Sequence, residues 1–369
     1  MNTNVLPNMI DRNPVTMPLE EIDISYIDLW KKDAKWPFFK RLRDDAPVHY
    51  CRNSEYGAFW SITRFEDIME VEKNWEVFSS YPRISIGDPV EGSTFSTPTF
   101  IAMDPPTHDE QRKTVQGVVA PQNLKQLEAT IRSRAAQILD DLPLGETFNW
   151  VDRVSVELTT QMLATLFDFP FEDRSKLTRW SDIVFARLGE GIIDSHEQRQ
   201  EELMECLAYF TRLWKERENN PVGNDFISMM IRGDATRNLS PQEYLGNILL
   251  LIVGGNDTTR NSISGGVLAL NQHPEEYQKL RDNPDVIPNM VSEIIRWVTP
   301  LAHMRRTVTK DYEFKGQQMK AGDKVIMWYA SGNRDERSIK DPERFFADRE
   351  RARNHISFGC IIISSIWVF

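Results

Sequence analysis

Ser240-Pro241-Gln242-Glu243-Tyr244-Leu245-Gly246-Asn247-Ile248-Leu249-Leu250-Leu251-Ile252-Val253-Gly254-Gly255-Asn256-Asp257-Thr258-Thr259 is the stretch on which the fold turns. Ser240, then Pro241, then Glu243 make a capping box with a proline at the first helical position. Apolar residues crowd together at Leu245 and from Ile248 to Val253, and the next stop signal is His273-Pro274. The spacing predicts one helix from Ser240 to His273, about 48 Å long at roughly 1.5 Å per residue. A helix this apolar is buried through the middle of a large domain. Its centre departs from an ordinary core. Gly254 and Gly255 each cost about 1 kcal/mol against alanine. Asp257 and Thr258 can turn their oxygens back on helical carbonyls and open a ladder bond.

Around that helix, 369 residues with 40% hydrophobic content suffice for a sizeable core. No Gly/Ser-rich or Pro-rich linker divides them. The 44 Lys and Arg against 55 Asp and Glu give a net charge of -11, which argues against a nucleic-acid partner. Cys51, Cys206 and Cys360 are scattered and odd in number, which fits a reducing compartment and no disulfide framework. No signal pattern opens the chain, and no run approaches ~20 apolar residues. The expectation is a cytoplasmic protein with no transmembrane segment.

Residues 1–36 are polar and proline-containing, and read as an N-terminal arm on the surface. Pro37 to Arg43 reads as an amphipathic helix. Val48-His49-Tyr50 and Ala58 to Ile62 read as a hairpin around Tyr56-Gly57. Phe65 to Asn74 is helical again. Ser79 to Thr99 is rich in Pro, Gly and Ser without periodicity, and a loop that long is usually functional. Leu124–Leu139, Val151–Phe167, Asp173–Leu188 and Gln198–Arg217 read as helices. Pro284 to Trp297 reads as a further helix, followed by short strands over Arg306 to Phe314, Gln318-Met319 and Lys324 to Trp328.

Five short motifs stand out. In Asp104-Pro105-Pro106-Thr107-His108 the prolines start a helix, and His108 and Arg112 fall one turn apart, a fork suited to carboxylates. Glu293-Ile294-Ile295-Arg296 carries an acid and a base at i, i+3. Asp341-Pro342-Glu343-Arg344-Phe345 follows downstream. Arg306 opens an Arg-x-x-x-x-Asp pattern ending at Asp311, and His355 precedes Ile356-Ser357-Phe358-Gly359.

Taken with Gly254-Gly255-Asn256-Asp257-Thr258-Thr259, these motifs resemble the cytochrome P-450 monooxygenases in order and spacing, from about Pro37 to Gly359. The Gly254–Ser262, Leu301–Arg306 and Trp328–Asp335 stretches look most like the bacterial alkane (terminal) hydroxylases. The resemblance implies a fold that is mainly α with a small β lobe, the cytochrome P-450 fold. It implies haem b held by His108, Arg112, Arg306 and His355 at its propionates and approached at Gly254 and Gly255. Asp257 and Thr258 would be the catalytic pair that relays protons to bound oxygen. Glu293, Arg296 and Arg344 would form a structural triad. O2 and electrons from NAD(P)H, passed through ferredoxin reductase and ferredoxin, complete the implied chemistry. The substrate would be a medium-chain alkane or fatty acid attacked at its end.

The pattern breaks after Gly359. In the register of Phe-Gly-x-Gly-x-His-x-Cys, Ile361 stands for the second glycine, Ile363 for the histidine and Ser365 for the cysteine. Cys360 is the nearest thiol, five positions early, so the metal ligand is unknown. A hydroxyl lacks the electron push of the thiolate. The expectation is a single haem-monooxygenase domain over 37–369, incomplete after Gly359 and so C-terminally truncated. Two other readings stay open: an inactive or haem-free product, and a haem-binding protein without catalysis.

Overall fold

The capping box forms as its residue types dictate. The Ser240 N–H donates to the Glu243 carboxylate at 2.9 Å, and the Glu243 N–H donates to the Ser240 hydroxyl at 3.3 Å. From there an unbroken helix runs over Pro241–Gln272, thirty-two residues. The computed structural model describes residues 8–88 and 95–359. These fall into two units, one of residues 95–269 and one of residues 8–88 with 270–359.

In the unit of residues 95–269, the first half of the long helix is buried at Leu245, Ile248, Leu249, Leu251 and Ile252. They pack with Phe167, Trp180, Phe210 and Phe226 in one apolar cluster. Helices over Thr107–Val115, Pro121–Asp140, Glu157–Phe167, Ser175–Phe185 and His196–Arg217 correspond to the predicted ones. The segment read as a helix from Val151 begins as a π-helical turn, Val151–Val156. A further helix, Phe226–Arg232, capped by Asp225, is too short to show a period in the sequence. Gly246 could not take a side chain without moving a neighbour. At Gly246 a Cβ would lie 2.0 Å from the Pro98 carbonyl oxygen, so the 97–98 backbone rests directly on the long helix.

The other unit carries the sheet. Strands β1 (Val48–Cys51), β2 (Phe59–Ile62), β3 (Phe78–Ser79), β4 (Met304–Val308) and β7 (Lys324–Met327) lie in the order β1-β2-β7-β4-β3. The predicted hairpin pairs Val48 with Ile62, and β2 runs parallel to β7. The stretch Arg306 to Phe314 is two strands, because β5 (Tyr312–Phe314) pairs with β6 (Gln317–Met319) instead. Asp311 closes that turn by accepting from the Ala321 N–H at 3.1 Å and the Lys320 ammonium at 2.7 Å. Helices over Ile27–Lys31, Trp36–Asp45, Phe65–Lys73, Pro274–Asp282, Ile287–Val298 and Tyr329–Gly332 surround the sheet's strands in the sequence of this unit.

The segment read as a surface arm is built into this unit. Met9, Met17, Ile22, Ile24 and Leu29 are buried among Phe38, Phe39 and Trp328. Their spacing follows turns and short 3-10 segments, so no period announced them. Cations and rings alternate at its edge. Lys35 lies 5.1 Å from the Trp30 ring and 4.3 Å from the Trp36 ring, and Arg334 lies 4.7 Å from Trp36 and 3.7 Å from Trp297. Among the described residues no helix is long and apolar enough to cross a membrane.

Candidate functional site

In the unit of residues 95–269, the site is assembled on the long helix. Pro105 and Pro106 precede the helix Thr107–Val115, which carries His108 and Arg112 one turn apart. His108 is buried and its Nδ1 lies 2.7 Å from the Asp109 carboxylate; Arg112 is half-buried. This helix hangs from the long one through an amide. Asn247 donates to the Gln111 side-chain oxygen at 3.0 Å and accepts from the Phe100 N–H at 2.9 Å. Sequence reasoning passed over Asn247. The signal was an amide inside an apolar run, which a core tolerates only when its hydrogen bonds are met.

At the notched midpoint the two polar residues behave differently. The Thr258 hydroxyl donates to the Gly254 carbonyl at 2.7 Å, the back-bond its residue type favours, and the helix stays α-helical through it. Asp257 turns away from the helical carbonyls. Its carboxylate accepts from the Ser181 hydroxyl at 2.9 Å and from the Arg260 guanidinium, which also reaches Asp182 at 3.2 Å. Burial pushes the Asp257 carboxyl above the usual range, and Arg260 and Ser181 pull it back. Asn256 is fully buried and accepts from the Thr159 hydroxyl at 2.9 Å. Ser181 and Arg260 were not legible as site residues, since one comes from a distant helix.

The other unit carries the remaining predicted residues. Glu293 and Arg296 are fully buried, and Arg296 grips the carboxylate with Nε at 2.7 Å and Nη2 at 2.8 Å. The predicted third member is corrected here. Arg349, not Arg344, completes the triad, with its Nε 2.7 Å from Glu293. Arg344 is exposed and contributes only its backbone carbonyl, which accepts from Arg296 and Arg349.

The turn after His355 is pinned from both sides. Asn333 accepts from the Ile356 N–H at 2.9 Å and donates to the Ser357 hydroxyl, which in turn donates to the Ile295 carbonyl. His355 Nδ1 accepts from the Ser357 N–H at 3.3 Å, which leaves the ring proton on Nε2. Burial, reinforced by Arg296, lowers its pKa to about 4. With no acid group beside it His355 is therefore neutral near pH 7, with its ring proton on Nε2 free to be donated.

Arg306 lies on β4 with no exposed surface, 3.3 Å from the buried Glu72 carboxylate. Its Nε is buried and finds no acceptor among the described residues. An orphaned guanidinium edge of this kind fits a carboxylate such as a haem propionate. The axial position is a separate matter. Cys51 and Cys206 are buried, and burial raises both thiols, which disfavours their thiolate forms. Cys360, Ile361, Ile363 and Ser365 lie outside the described residues. Among the described residues no cluster of His, Cys, Asp and Glu could itself hold a metal ion.

Comparison with known proteins agrees with the motifs. A cytochrome P-450 family model matches residues 131–357. Linalool 8-monooxygenase of Pseudomonas putida is 32% identical over 351 residues, covering 92% of this chain and 86% of that one. Methyl-branched lipid omega-hydroxylase of Mycobacterium tuberculosis is 30% identical, covering 97% and 86%. Among solved structures, cytochrome P-450-153 from Novosphingobium aromaticivorans superposes with a TM-score of 0.87 at 46% identity, covering 93% and 87%.

Proposed function

The chain belongs to the cytochrome P-450 family of haem monooxygenases, and from that premise we propose that it hydroxylates medium-chain alkanes or fatty acids at the terminal carbon. The observation that carries the monooxygenase chemistry is the step from Gly254 to Thr258, where a half-buried carboxylate and a hydroxyl sit together on a glycine-notched helix. The terminal position is supported by the resemblance of three stretches to the alkane hydroxylases and by the ω-hydroxylase named among the relatives.

In this reading one atom of O2 enters a C–H bond and the other leaves as water, using two electrons and two protons. Haem, when bound, supplies the oxygen activation. His108, Arg112 and Arg306 would pair with its acid groups, and His355 would donate to one from Nε2. Asp257 would take up a proton at Oδ2, the oxygen that faces the Ser181 hydroxyl, and Thr258 Oγ1 would pass one inward. Arg260 holds Asp257 Oδ1 and so fixes which oxygen is available. Gly254 and Gly255 leave the helix without side chains where the flat group would lie. Ferredoxin and its reductase would carry electrons from NAD(P)H, in the cytoplasm. A second reading, haem held without thiolate ligation, is favoured by Ser365 in the cysteine register.

Two measurements test this. A reduced, CO-bound spectrum with a Soret band at the thiolate position is the expected result; a blue-shifted band selects the second reading, and no band removes the haem. Turnover of octane or dodecanoic acid with a surrogate ferredoxin and reductase should then give the primary alcohol or ω-hydroxy acid. Subterminal products from a haem-loaded protein would overturn the terminal assignment alone.

A further inference from the structure

The Arg306 pair differs from the other buried acid–base contact of its unit. Glu293 receives Arg296 by two bonds of 2.7 and 2.8 Å and Arg349 by a third of 2.7 Å. Glu72 meets Arg306 through one N···O contact of 3.3 Å, longer than a charge-assisted bond usually is. Both residues of each pair are buried, so the difference is not one of solvent. The same Glu72 oxygen accepts from the Tyr329 hydroxyl, and Nη1 of Arg306 is spent on the neighbouring Arg305 carbonyl at 2.9 Å. That leaves Arg306 Nε buried with no acceptor among the described residues. A guanidinium in this condition is compensated in charge but not in hydrogen bonds. A bidentate carboxylate would satisfy it better.

The other side of Glu72 is closed by the chain. Gly359 has φ +75, and a Cβ there would lie 3.1 Å from the second Glu72 oxygen and 3.2 Å from the Tyr329 hydroxyl. Glu72 thus keeps the Tyr329 hydroxyl, with the turn at Gly359 lying against it, whether or not Arg306 stays on it.

We propose that Glu72 is a stand-in counter-ion: it balances Arg306 in the ligand-free protein, and an acid group of the ligand takes the guanidinium over when it binds. The proposal rests on the haem reading above for the identity of that ligand. Both carboxylates compete for one cation, so Glu72 tunes how strongly the site prefers an acidic ligand. Removing its charge leaves Arg306 buried and uncompensated until such a ligand arrives.

The test uses the full chain and the variants Glu72→Gln, Arg306→Met and the double variant. Haem-free protein is melted in sodium chloride and in sodium propionate at equal ionic strength. Glu72→Gln should melt below the parent in chloride and recover most of the loss in propionate, while the parent and the double variant should not respond. A loss that propionate does not restore, or no loss, overturns the proposal. Separately, the ratio of dissociation constants for haem dimethyl ester over haem should rise about tenfold in Glu72→Gln, as expected for one gained charge-assisted bond. It should fall below the parent's ratio in Arg306→Met, with the share due to His108, Arg112 and His355 remaining. An unchanged or lower ratio in Glu72→Gln overturns the proposal. If the parent binds neither porphyrin, the haem reading fails, and the propionate melts still decide the role of Glu72.

Discussion

Replacing Arg349 by leucine removes more than one bond. Its Nε meets the buried Glu293 at 2.7 Å, Nη1 meets the Lys340 carbonyl at 2.5 Å, and Nη2 meets the carbonyls of Asp341 and Arg344. The substitution leaves a fully buried carboxylate one donor short and the Lys340 carbonyl unserved; the Asp341 carbonyl keeps the Arg344 N–H, the Arg344 carbonyl keeps Arg296, and Arg296 and the Phe346 N–H still hold Glu293. Breaking a buried pair from one side costs about 3–5 kcal/mol. With an unfolding entropy of about 2.1 cal/mol/K per residue, a chain of 369 residues has near 0.8 kcal/mol/K, so the melting temperature should fall by about 4–6 °C. Arg344→Leu should cost under about 0.5 kcal/mol, within the scatter of exposed positions, because its backbone carbonyl survives the change. Parallel calorimetric scans of the two variants decide the matter. A larger loss in Arg344→Leu than in Arg349→Leu would refute the assignment of the triad.

Gly246→Ala sets a methyl 2.0 Å from the Pro98 carbonyl oxygen and should destabilise by about 1–3 kcal/mol; a melt identical to the parent would show that the 97–98 backbone does not lie on the helix. Burial raises the Asp257 carboxyl, so the folded state binds its proton more tightly than the unfolded state does, and stability is lost as pH rises from the usual carboxylate value near 3.8 through the raised one. Asp257→Asn should therefore melt above the parent at neutral pH, with the gain shrinking as pH falls; a gain that grows on acidification contradicts the sign.

The long helix could be read from the sequence because three local signals agree on it: a capping box, a continuous apolar run and a proline stop. The hairpin of β1 and β2 was legible for the same reason, alternation around a glycine turn. The triad shows where local reading ends. Arg344 and Arg349 both lie in an aperiodic stretch after β7 and the short helix Tyr329–Gly332, and nothing in their spacing distinguishes them. Left-handed residues at Asp341 (φ 46) and Arg351 (φ 54) turn the chain so that Arg349 folds back onto Glu293. Ser181, Asn247 and Glu72 were missed because each acquires its meaning from a partner far away in sequence. His355 was placed correctly in its motif, but its charge is set by the burial around it and could not be read from the residue type.

The alternation of Trp30, Lys35, Trp36, Arg334 and Trp297 works like a zip fastener between the start of the chain and a helix nearly three hundred residues later. Lys35, Trp36 and Arg334 each touch the neighbour on either side. A shortened version beginning at residue 37 would shed three teeth at once, leave Arg334 with Trp297 alone, and open Phe38, Phe39 and Trp328 to water. Engineering that trims the leader, or fuses a carrier inside it, therefore acts on the sheet-bearing unit as a whole.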